Sequence, residues 1–120
     1  MSQRSLLLVF RRAPYGGSSA RAGLDFALAA AAFEQPVSLL FMDEGVWLLQ
    51  PGQDAAAIGA RSIEKTLASL PLYDIESLYV DAESALRHGL DPAGLPGKPR
   101  AVAGERLAEF TAGFDQVVVF

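Results

Sequence analysis

The residue whose position points most directly to chemistry in this 120-residue chain is Asp81. It stands where a short apolar run, Ser77-Leu78-Tyr79-Val80, hands over to a helical one that Gly89 closes. In open α/β sheets, ligands and reactive groups gather at the carboxyl ends of strands, where strand gives way to helix. The group on offer at this junction is a carboxylate. The chain holds no cysteine, so it has no thiol nucleophile, no thiolate metal ligand and no disulfide of its own. The junction therefore has the shape of a site but lacks an evident nucleophile.

Three other groups of residues bear on function. Arg11-Arg12-Ala13-Pro14-Tyr15-Gly16-Gly17-Ser18-Ser19 precedes a helix, and backbone N–H groups at such a place can hold an anion. Arg11, Arg12 and Ser18 are the candidate anion-binding residues, with Arg21 one turn into the helix. The loop has neither the Gly-Lys-Ser/Thr of a Walker A motif nor a Gly-x-Gly-x-x-Gly fingerprint, and a solvated loop is the plainer reading. Asp43 and Glu44 follow the second apolar run and suggest an acidic pocket. The first run ends in two arginines rather than acids, which argues against a metal site. His88, the sole histidine, falls at a helix end, where partial positive charge interacts well with the helix dipole. No serine matches it by spacing, so a hydrolytic triad with Asp81 and Asp43 has no support.

These residues are carried by alternating elements. Ser5 to Phe10 is a continuous apolar run, the pattern of a strand covered on both faces of a parallel sheet. A helix follows over about Ala20 to Glu34, with Arg21, Asp25 and Glu34 its only charges. A helix this apolar should be buried on both sides, by the sheet and by a partner. Phe26, Ala30 and Phe33 are its candidate interface residues, and Ala29 to Ala32 would admit a neighbouring helix closely. Pro36 to Met42 reads as the second strand. Val46 to Leu49 forms a short helix or turn holding Trp47, an interface or packing anchor. Asp54 opens a helical region that Gly59 interrupts, leaving a helix over about Arg61 to Leu70. Ser77 to Val80 is the third strand. Asp81 is placed to cap the next helix, and Gly89 suits a left-handed termination. A weak edge strand near Arg100, a helix over Glu105 to Thr111 and a last strand, Gln116 to Phe120, complete the order. The alternation predicts a single domain over residues 1–120. Its fold class is α/β: a three-layer α/β/α arrangement around a mostly parallel five-stranded sheet.

Composition narrows the function classes. The chain is 51% hydrophobic, more apolar material than one small core needs, which favours a surface covered by another subunit. Its net charge of −4 is scattered, giving no basic face for direct nucleic-acid contact. No apolar run is long enough to predict a membrane span, and the start is too short in apolar residues for a secretory signal. A cytoplasmic location is expected.

Four segments together resemble one family. They are Arg12-Ala13-Pro14-Tyr15-Gly16, Leu48-Leu49-Gln50-Pro51-Gly52-Gln53, Leu72-Tyr73-Asp74-Ile75-Glu76 and Arg87-His88-Gly89-Leu90-Asp91-Pro92. In order and spacing they resemble the TusC/DsrF family along nearly the whole chain. Asp43-Glu44-Gly45-Val46 is similar to that family's Asp-Gly-Val turn, with Glu44 added. The resemblance implies a DsrE-like, flavodoxin-like fold. It also implies partners: TusB-like and TusD-like homologous subunits, in a hexamer made as a dimer of heterotrimers, relaying persulfide sulfur toward 2-thiolation of the tRNA wobble uridine. In related sulfur-oxidation complexes the counterparts are DsrE, DsrF and DsrH. By the same resemblance, Asp81 stands at the place of the TusD subunit's sulfur-accepting cysteine. A carboxylate cannot carry a persulfide, so a non-catalytic, cofactor-free subunit is expected. A flavodoxin-like module binding an anion at Arg11 to Ser19 is the alternative.

Overall fold

The computed structural model describes residues 5–12, 19–49, 65–95 and 97–120. Its centre is strand β1 (Leu6–Phe10), all five residues of which are buried. β2 (Val37–Phe41) pairs with it in parallel on one side and β5 (Gln116–Val119) on the other. β3 (Ser77–Asp81) and β4 (Arg100–Val102) extend the sheet beyond β2, giving the order β4-β3-β2-β1-β5 with every pairing parallel. Burial on both faces is what an unbroken apolar run requires, and Ser5 to Phe10 meets that requirement.

The pleat divides the core in two. Leu6, Leu8, Phe10, Leu39, Phe41 and Val80 face one layer, made by helix α1 (Ser19–Ala32), a 3-10 segment (Asp43–Leu49) and helix α3 (Ala82–Arg87). Residues 65–69 are helical (α2) and pass directly into a 3-10 turn, Leu70–Tyr73, whose Leu70 is fully buried in the same layer. Leu7, Val9 and Leu40 face the opposite layer. The described helix there is α4 (Leu107–Ala112), which extends a 3-10 turn at Gly104–Arg106 and contributes Leu107 and Phe110. Phe110 meets Tyr79 edge-on at 4.7 Å between ring centroids.

α1 lays Ala20, Leu24, Ala27 and Ala30 on the sheet, at the three- and four-residue spacing of one helix face. An aromatic row forms beneath it at the carboxyl end of the sheet. Phe10 stacks on Phe41 at 5.4 Å and on Phe120 at 5.6 Å. Phe120 in turn meets Phe26 of α1 at 6.1 Å. The expectation that α1 is covered on both sides meets a one-sided helix in this chain. Its outer face leaves Phe26 45% exposed, and Phe33, just past its end, is 83% exposed.

Two glycines are required by geometry. Gly89 has φ +72 and ends α3: the Leu90 N–H donates to the Ala85 carbonyl and the Gly89 N–H to that of Leu86. That pair of bonds is a Schellman ending, which favours glycine because it alone enters left-handed backbone without strain. Gly45 is required by space. A β-carbon there would lie 1.9 Å from the Phe10 carbonyl oxygen, which is backbone and cannot swing aside. Gly45→Ala is expected to cost about 3 kcal/mol or more, at the upper end of overpacking effects. A urea denaturation midpoint falling accordingly checks it; an unchanged midpoint would mean the 3-10 segment is free to lift off β1.

Candidate functional site

The ends of β1, β2 and β3 meet at the carboxyl edge of the sheet, and a short polar chain links them. Arg11, just past β1, donates from Nε to Asp43 Oδ2 at 2.7 Å, and its terminal nitrogen lies 2.6 Å from the same oxygen. Asp43 begins the 3-10 segment with φ 51, an uncommon conformation for a residue with a β-carbon. Its backbone N–H donates to Ser84 Oγ at 2.8 Å. Ser84 Oγ donates in turn to Asp81 Oδ2 at 2.6 Å. Asp81 is 4% exposed and Ser84 fully buried, while Arg11 lies on the surface. The other carboxylate oxygen of Asp81 is enclosed and has no hydrogen-bond partner.

This geometry corrects one sequence expectation. Asp81 does occupy the N-cap position of α3, but its side chain makes no capping bond. Its carboxylate turns to the hydroxyl of Ser84, three residues on, which draws both groups into the interior. The residue that sequence reasoning missed is therefore Ser84. An Asp-x-x-Ser spacing at a helix start was the available signal, because it brings the serine back over the first turn.

The remaining candidates are dispersed. Arg11 is committed to Asp43. Arg12 is exposed, and Ser18 lies outside the described residues, as do Ala13 to Gly17 of the candidate anion loop. Glu44 is exposed. His88 is the C-cap residue of α3, with its ring edge-on to Trp47 at 5.1 Å, an aromatic contact away from the carboxylates. Trp47 is half-buried. Of the candidate interface residues, Phe26 and Phe33 are on the outer side of α1, whereas Ala30 points into the core. Leu72 (84% exposed), Tyr73 and Leu86 are further outward apolar side chains. Among the described residues, no group of three or more His, Asp or Glu side chains is placed to hold a metal ion. None of the described helices is long and apolar enough to cross a membrane.

Chemically, the junction is closed. The Ser84 hydroxyl proton is engaged by Asp81 and one lone pair by the Asp43 N–H, and His88 is turned elsewhere. The group that meets the serine's proton is the buried Asp81 carboxylate, not an imidazole. Asp81 is shut off from solvent and from any substrate arriving at the surface.

A DsrE/DsrF-like family model matches residues 4–120. The chain belongs to the DsrE/DsrF-like family. A Pseudomonas aeruginosa relative called "Protein TusC homolog" is 38% identical over 118 residues, covering 98% of each chain. An Escherichia coli relative called "Protein TusC" is 40% identical over 89 residues, covering 74% of this chain and 75% of that one. Among solved structures, the E. coli ychN protein superimposes with a TM-score of 0.76, covering 99% of this chain and 100% of that one. At 20% identity that likeness speaks to the fold alone. The family places the expected DsrE-like architecture on the same footing as the parallel sheet itself.

Two variants probe the closed junction. Ser84→Ala removes the only partner that the Asp81 carboxylate has among the described residues, and takes from the Asp43 N–H its acceptor. It is expected to cost about 1–3 kcal/mol, read from urea unfolding. Asp81→Cys gives the chain a sole thiol at a buried position. It should react with a thiol reagent at least about tenfold more slowly than the sole thiol of Leu86→Cys, whose side chain is exposed. Equal rates would show that the junction opens readily.

Proposed function

We propose that this protein is a structural, non-catalytic subunit of a TusBCD-type sulfur-relay complex that supports 2-thiolation of the tRNA wobble uridine in the cytoplasm. The observation that carries the reading is the state of the strand-to-helix junction in a chain related to proteins named TusC. A relay station must present a thiolate to its donor and acceptor. This chain has no cysteine, and the residue at its junction is a carboxylate sealed behind Ser84. Any sulfur-carrying cysteine then comes from a homologous partner, and this subunit contributes a scaffold.

The outer face of α1 supports the partner requirement. Phe26 and Phe33 stand exposed there, and the turn that packs beside α1 adds Leu72 and Tyr73. Apolar side chains grouped in this way mark a surface that another protein covers. TusB-like and TusD-like subunits are the proposed occupants, in a dimer of heterotrimers. Of the two relays open to this family, the relatives' name favours tRNA thiolation over a DsrF-like role in sulfur oxidation. The anion-module alternative loses Arg11, which pairs with Asp43.

Co-expression with the homologous subunits encoded beside it should yield one stable assembly, and Phe33→Asp should release this chain from it. A chain that purifies apart from those subunits would end the proposal. A strain lacking the gene should also lose 2-thiouridine, measured in hydrolysed tRNA; normal thiolation would transfer the reading to the sulfur-oxidation branch.

A further inference from the structure

The two edges of the sheet are built differently. β4 is three residues long and is preceded by Lys98 and Pro99, with Arg100 as its first residue. Short length, charge and proline are the usual means of keeping an edge from pairing. β5, one residue longer, has no proline, and its flanking charge, Asp115, is turned back onto Ser5. It reads Gln116-Val117-Val118-Val119, runs into Phe120, and carries no charged side chain.

Its hydrogen bonding defines what the edge presents. The N–H groups of Gln116 and Phe120 donate to the carbonyls of Ser5 and Val9, and the Phe120 carbonyl accepts from Arg11. In a parallel ladder the direction alternates along the strand, so the N–H and C=O of Val117 and Val119 point away from β1. The side chains of these same two residues are 42% and 58% exposed. They form one wall of an open apolar groove of about 420 Å³, whose other wall is Ala108, Thr111 and Ala112 of α4. Among the described residues, the strand thus offers free backbone groups and uncovered valines at the same positions.

We propose that β5 is a self-complementary edge, through which two copies of this chain pair antiparallel and join their sheets across a two-fold axis at Val118. The register follows from the pleat. Facing residues must point to the same side of the sheet, and the outward backbone groups must face one another. Pairing Val117 with the partner's Val119 satisfies both conditions, twice, and brings Val118 opposite its own copy. The exposed valines of the two copies then lie side by side on the groove face. Charge agrees with this arrangement. No like charges meet along residues 116–120, and the carboxylate of Asp115 is turned back onto the Ser5 N–H and hydroxyl. The antiparallel arrangement also sets the Asp115 end of each strand toward the Arg11–Arg12 end of the other. The contact is isologous and closes at two copies.

The absence of native cysteine makes the test direct. Light scattering of the full chain alone should give twice its 12.8 kDa mass at micromolar concentration. Val118→Cys, the sole thiol, should oxidise to a covalent dimer. A non-hydrogen-bonded antiparallel pair brings the two Cα atoms to about 4.5 Å, within the range a disulfide spans. Leu86→Cys, on α3, should not cross-link. Val119→Lys should halve the mass while leaving the circular dichroism unchanged. A wild-type chain that stays at 12.8 kDa overturns the proposal. So does Val118→Cys cross-linking no faster than Leu86→Cys. Because these measurements use the chain without other subunits, their outcome is independent of the proposed sulfur-relay role.

Discussion

The close approach of Gly45 to the carbonyl of Phe10 organises the carboxyl edge of this fold. That contact lets the 3-10 segment lie directly over the end of the central strand. From there Val46, Leu48 and Leu49 enter the core, Trp47 reaches the ring of His88, and the Asp43 N–H meets Ser84. The same Phe10 carbonyl accepts the Met42 N–H, so β2 is held to β1 at the point where the segment departs. A residue with any side chain at position 45 would lift the segment and separate these contacts together, because interiors at close packing do not absorb a whole methyl group against backbone.

What that constraint positions is a line of linked polar groups at the carboxyl edge of the sheet. Arg11, Asp43, Ser84 and Asp81 tie three strand ends into one chain of bonds that grades from surface to interior. The outer ion pair contributes little, being largely solvent-exposed. The inner pair matters more, because a buried carboxylate without its donor bears the full penalty of desolvation. The enclosed oxygen of Asp81 that no donor reaches is a residual cost at this position. A protein under selection only for stability would have little reason to keep a carboxylate there.

Much of the architecture was legible because it rests on unbroken local patterns. Leu6 to Phe10 is apolar without alternation, which a strand covered on both faces accommodates, and Gly89 marks its helix end through backbone conformation alone. The site was less legible. A capping role for Asp81 was the reasonable inference from its place before a helix, but the side chain chose Ser84. Such a choice depends on how the 3-10 segment packs above it, a contact across 41 residues of sequence. Ala30 was legible as part of an apolar helix but not as to face: in a run of four alanines, the sequence offers no contrast by which to choose one.

The same composition that obscured the faces of α1 explains why this chain exposes so much apolar surface. A helix rich in alanine and phenylalanine serves a sheet on one side and leaves only the Arg21–Asp25 pair as charge on the other. Phe33 and Leu72 remain outside, 83% and 84% exposed. β5 makes the same statement in backbone terms, with Val117 and Val119 leaving both side chains and amide groups open. These surfaces belong to different parts of the molecule, one on a helical layer and one on a strand edge, and ask for different occupants. A helical face of mixed apolar residues accepts a shaped partner surface, whereas a strand edge accepts only another strand. The two contacts proposed for this chain therefore draw on different residues and do not compete.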